Sequence, residues 1–310
     1  LQARIGSLTA KLLADKAWDD KMTLKRGGAA TGTVANNEFQ SFTGEVNWQY
    51  EQWLEGSMNV TVGKETSISG TASATIKEAK QVGEGGKLEI QRGSSVQAKV
   101  TNNALDGVGG DIAWKYEDWL KGTVTVPPYA QLDKISGTVS ATLATNKDAG
   151  NEITLIAGGN VRGQLENGSL TKIGGMVEFR YQDWLKGSVT LDDGPLDHMV
   201  GKATAAITKR KEVKPPFTVV EGNLQVDFDT KKSLAEAPFS ANLVWEYEGW
   251  LGGSVTVDAG STFANLNGDA VGVLKQEKIL NDVTLLRGGN VRVKVVASAP
   301  DSFGGDLNWK

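Results

Sequence analysis

WKYEDWLKG, at Trp114–Gly122, returns as WQYEQWLEG at Trp48–Gly56, FRYQDWLKG at Phe179–Gly187 and WEYEGWLGG at Trp245–Gly253. The motif tryptophans Trp53, Trp119, Trp184 and Trp250 stand 66, 65 and 66 residues apart, and Trp309 opens a further partial copy. Self-similarity at a fixed period makes the repeat, and not the chain length, the unit of structure. Before each turn the large residues alternate, as Val46, Trp48 and Tyr50, then Ile112, Trp114 and Tyr116, then Val177, Phe179 and Tyr181, then Leu243, Trp245 and Tyr247. An apolar period of two predicts a strand with one aromatic face. After each turn come GSMNVTV, GTVTVPP, GSVTLDD and GSVTVDA, rich in β-branched residues that suit a pleated surface, so the motif predicts a hairpin. Gly122 and its counterparts suit the left-handed position of a three- to five-residue hairpin loop.

Two further strands complete the unit. One precedes the aromatic strand and is interrupted by glycine, as in KMTLKRGG, KLEIQRGS, EITLIAGG, PFTVVEG and DVTLLRGG, which predicts a bend or bulge. The last carries small residues at alternate positions, such as Gly70, Ala72 and Ala74 or Gly201, Ala203 and Ala205, a stripe expected to pack opposite the aromatic stripe. The expectation is an all-β tandem array of antiparallel hairpins, about four strands per unit, forming a curved extended sheet, solenoid or shell. The units are residues 21–86, 87–151, 152–216 and 217–282, flanked by a partial unit (its last strand) over 1–20 and another (first two strands) over 283–310. The opening LQARIGSLTAKLL reads as a last strand and the closing FGGDLNWK as an aromatic strand, so a segment of a longer array is expected.

Composition narrows function. The chain has 310 residues, 39% of them hydrophobic, with 38 glycines, no cysteine, one histidine (His198) and a formal charge of −4. Without cysteine there is no disulfide or thiolate metal site, and a lone histidine argues against a histidine-based metal centre or a catalytic triad. A basic footprint for nucleic acid is missing beyond Lys209–Lys211, and no apolar run reaches the length of a membrane helix. Acidic pairs such as Glu117-Asp118 invite an acid–base or calcium reading, but they recur with drift to Gln182-Asp183 and Glu248-Gly249, whereas catalysis needs one constellation. Gly158-Gly159 and Gly288-Gly289 join strand to strand, with no helix N-terminus to receive a phosphate. Pro127-Pro128, Pro215-Pro216 and His198 read as variable loop features. No catalytic residue, metal ligand or cofactor is therefore expected.

The cadence from Tyr116 to Val126 resembles the tyrosine-aspartate repeats of bacterial Rhs-type shells, and YEGWLGG at Tyr247–Gly253 resembles MORN repeats. Those families repeat in roughly 20 to 25 residues, well below the period here. The chain as a whole resembles repeat stretches of very large bacterial proteins, including polymorphic toxins and proteins that accompany extracellular contractile injection systems. That resemblance implies a secreted or cell-surface bacterial setting. The function expected is a non-enzymatic structural scaffold whose partners are neighbouring repeats of the same longer chain, or further copies. One alternative is a multivalent module binding glycan or another surface polymer through Trp53, Trp119, Trp184 and Trp250, with avidity from repeated weak sites. A second is a lipid-carrying groove lined by the aromatic face.

Overall fold

The computed structural model describes residues 5–36, 38–63 and 67–310. It is all-β: among the described residues there is no α-helix, only three single 3-10 turns. Two compact units are resolved by their contacts, Leu1–Ala144 with Arg162–Thr171, and Thr145–Val161 with Lys172–Lys310. In the first, Ile5–Lys11, Met22–Ala35, Glu38–Tyr50, Leu54–Gly63, Ile68–Ile76, Ser95–Thr101, Ala104–Tyr116, Leu120–Gln131 and Gly137–Leu143 form an antiparallel meander, each strand paired with the next. In the second the same holds from Ser169–Tyr181 through Leu185–Pro195, Val200–Ile207, Phe217–Asp229, Phe239–Tyr247, Leu251–Ser261, Gly268–Leu274, Asn290–Val296 and Ala299–Asp306. No sheet is closed.

The glycine-interrupted strands bend as expected. Gly27, Gly93, Gly158 and Gly288 have φ of 102°, 88°, 101° and 92°, a region that L side chains avoid. Below the break the chain makes a short segment, such as Leu88–Ile90, that still pairs with the aromatic strand (Ile90 with Trp114). That segment also pairs with a strand absent from the expected four, one of Lys16–Ala17, Lys80–Val82, Lys147–Gly150, Lys211–Lys214 and Lys278–Leu280. The bent strand is split at Leu88–Ile90 and Ser95–Thr101 and at Ile153–Leu155 and Asn160–Glu166, runs unbroken over Met22–Ala35 and Phe217–Asp229, and is joined each time by one of the added short strands. These short ones are too brief to show an alternating pattern.

Two expectations need correction. In every copy the residue after the tyrosine has positive φ (Glu51, Glu117, Gln182 and Glu248, at 48–49°), joined in the last copy by Gly249 at 76°, while Gly122 lies within the strand, paired with Trp114. The acidic side chain and its amide each find a partner that holds this conformation, described below. The small residues also do not face the aromatics from an opposing layer. Trp48, Gly56, Ala74 and Val96 stand in register on four consecutive strands, as do Trp245, Gly253, Gly272 and Val291. Residues in register share a face, so each ring lies across its neighbouring strand. A Cβ at Gly56, Gly122, Gly187 or Gly253 would meet the Trp48, Trp114, Phe179 or Trp245 ring at 2.8, 2.6, 2.6 or 2.8 Å. The ring shields the backbone that glycine leaves bare.

Few side chains are enclosed. The buried apolar residues are Ala74, Ile76, Leu143, Val219, Ala237, Phe239, Val257 and Leu274, while Trp48, Trp114 and Trp245 are only half-buried. The chain exposes 19378 Å². Two separate compact units of half this mass would together expose about 15,000 Å² by the scaling for globular proteins. The excess means that much of the apolar face has no second layer over it, which is why the second-strand rings are half-buried.

Candidate functional site

Each hairpin turn builds the same small cluster. The tyrosine ending the aromatic strand meets the turn tryptophan edge to face, with centroids 6.1 Å apart for Tyr50–Trp53, 6.1 Å for Tyr116–Trp119, 6.0 Å for Tyr181–Trp184 and 6.3 Å for Tyr247–Trp250. The indole Nε1–H donates to the side chain two residues before it: Trp53 to Glu51 at 2.8 Å, Trp119 to Glu117 at 3.1 Å, Trp184 to Gln182 at 2.9 Å and Trp250 to Glu248 at 2.9 Å. The amide of that left-handed residue donates to a carbonyl at the foot of the bent strand, as Glu117 to Lys87 at 2.8 Å and Gln182 to Glu152 at 2.9 Å. The tryptophan carbonyl accepts from the residue just after the small-residue strand, Lys77, Ala144, Thr208 or Lys275, at 2.7–2.8 Å.

A lysine from the short added strand closes the cluster. Lys80 Nζ lies 3.4 Å from the Glu51 carboxylate and 5.4 Å from the Trp53 ring centroid, and Lys278 Nζ lies 2.9 Å from Glu248 and 5.0 Å from Trp250. In the copy where glutamine replaces glutamate, Lys211 donates to the Gln182 amide oxygen at 3.2 Å. The Trp53 indole, then the Lys80 ammonium, hold the Glu51 carboxyl below its ordinary value. At Glu248 the same happens in the other order, Lys278 first and Trp250 second. The Glu117 carboxylate conversely raises Lys87.

Trp53, Trp119, Trp184 and Trp250 are all half-buried, each with its indole N–H engaged and one edge against tyrosine. Over Trp53 and Trp250 a lysine also occupies one ring face, where a stacked sugar would otherwise rest. The acidic pairs serve ion pairs: Glu117 with Lys87 at 3.1 Å and Asp118 with Lys115 at 2.8 Å. Lys209, Arg210 and Lys211 disperse to Asp183, Glu246 and Gln182. His198 Nε2 sits 2.8 Å from Asp229 Oδ1. Among the described residues no group of three or more His, Cys, Asp or Glu side chains is placed to hold a metal ion, and no helix is long and apolar enough to cross a membrane.

Sequence reasoning missed the lysines and one surface feature. The lysine signal was present, since Lys16, Lys80, Lys147, Lys211 and Lys278 follow one another at 64, 67, 64 and 67 residues. The surface feature is an open trough of about 260 Å³ on the apolar face, floored by Ala72, Ala74 and Ala98 and walled by Trp48, Leu54 and Val108. A counterpart of about 240 Å³ lies among Leu12, Leu24, Ala30 and Val46. Both are smaller than ordinary small-molecule sites, which enclose roughly 300 to 1,000 Å³. No protein-family model and no curated protein matches this chain.

Proposed function

We propose that the chain is a non-enzymatic β-repeat scaffold, a segment of a longer bacterial shell, fibre or surface protein. The observation that carries this reading is the fourfold recurrence of one turn cluster, Tyr, Glu or Gln, and Trp, at equivalent positions. An enzyme concentrates unlike groups at one place, whereas here like groups recur and satisfy one another. The cluster joins strand ends to their neighbours: Lys80 reaches the Glu51 turn, while Lys87, across the same short hairpin, meets the next turn at Glu117. Strand-to-strand hydrogen bonding stabilises each copy chiefly through its neighbours, as in stacked arrays.

Titration of the full chain with a panel of soluble glycans, followed by tryptophan fluorescence, tests this against multivalent binding. A flat response across the panel is expected. Saturable quenching that disappears in Trp119→Ala would overturn the scaffold reading and assign the turn tryptophans to a ligand.

A further inference from the structure

On the apolar face, large and small side chains alternate across the strands. Trp48 lies over Gly56, making a raised band on the aromatic strand and the one after it; Ala72, Ala74 and Ala98, on the next two, make the trough. The band returns with Trp114 over Gly122. Along its outer part the same face presents Phe39, Ile68 and Leu105, which are 46%, 44% and 48% exposed. Their in-register partners Val34, Val62 and Val100 are apolar too. A monomeric soluble protein rarely shows a continuous apolar patch beyond a few hundred Å².

We propose that this face is covered by a second copy of the chain, sheet on sheet, with the ring band of each copy seated in the small-residue trough of the other. The proposal rests on the scaffold reading and names its partner. Band and trough each occupy two strands, so a shift of two strands, about 10 Å at the usual spacing, brings every band over a trough. One surface thus supplies both halves of the fit, the condition for an isologous contact. The opposite face does not compete for this role. It carries Asn47, Ser57, Ser73 and Gln97 in register, with cross-strand hydroxyl pairs such as Thr123–Ser140 at 2.7 Å.

Area decides between a second copy and a small ligand. In the Leu1–Ala144 unit, nine strands of about ten residues give a face on the order of 1,400 Å² at normal strand spacing and rise. Twisted sheets overlap only in part, and half-coverage of both partners still removes about 1,400 Å² in total, within the range of specific protein interfaces. Each trough alone is too small and open to retain a drug-sized molecule.

Sedimentation equilibrium of the full chain at micromolar concentration tests the pairing. A dimer is expected. Ile68→Lys with Leu105→Lys should weaken association about tenfold or more, since each buried ammonium would lose water without gaining a partner. The melting temperature of dilute protein should fall only slightly, because both residues are already 44% and 48% exposed in the single copy, and a lysine ammonium there can reach water. Ala98→Trp, which fills the trough, should weaken association independently. A chain that stays monomeric, or a dimer indifferent to both variants, overturns the pairing and leaves the scaffold reading standing. Saturable uptake of cis-parinaric acid by a monomer, lost in Ala98→Trp, overturns both and assigns the face to acyl chains.

Discussion

At Gly122 an added Cβ would lie 1.9 Å from the Ser140 carbonyl oxygen and 2.6 Å from the Trp114 ring, so a backbone and a ring would both have to move. Gly122→Ala should therefore destabilise the fold by about 2 kcal/mol, the ordinary cost of overpacking. Gly304→Ala, with open space around the added carbon, should be close to neutral in the same urea titration. The glycine was legible as necessary but not for its reason, because the sequence shows a glycine after a turn and not the ring lying over it. Glu51 and Glu248 make a second prediction. Their folded-state pKa values lie below the ordinary 4.5, so their contribution to stability is present above that pH and is lost as pH falls through the depressed values. Tryptophan fluorescence and melting temperature should both decline on acidification below about pH 4.5. Glu51→Gln with Glu248→Gln should flatten that decline. The Gln182 copy keeps the indole bond at 2.9 Å without a charge, so the double variant should retain the turn geometry.

Among the elements, the aromatic hairpins were the most legible, because strict alternation over seven or more residues admits little besides a strand and a short loop permits only an antiparallel neighbour. The short lysine-bearing strands were not. Lys80–Val82 and Lys278–Leu280 are three residues each, held by one partner segment and by lysine ion pairs whose side chains are a third or more exposed. Such solvent-screened pairs contribute little and weaken with salt. Hydrogen exchange should therefore find these short strands opening well before Leu120–Gln131 and its partners, by more at high ionic strength. Equal protection of the two classes would contradict this. Lys80→Ala should lower stability only slightly, mainly at low salt.

For the molecule as a whole, the large exposed surface has a measurable signature. An unfolded chain of 33.0 kDa exposes about 48,000 Å², so folding to 19378 Å² removes roughly one fifth less surface than folding to a compact body would. The urea m-value and the heat-capacity change of unfolding, both proportional to that surface, should fall about one fifth below those of a compact 310-residue protein at concentrations where single copies prevail. Values at or above the compact ones would mean that the apolar face is covered. By itself the sequence determined the period, the strand character and the pairing of consecutive strands, since alternation and turn spacing are local properties. Only the tertiary structure decided that Ala74 shares one sheet face with Trp48 and does not lie across from it, that glutamate or glutamine and not the closing glycine takes the left-handed turn position, and that lysines sixty-odd residues apart close the turns. Residue size says that a large group needs a small neighbour; whether that neighbour is lateral or facing depends on the number of layers, which alternation along a strand does not encode.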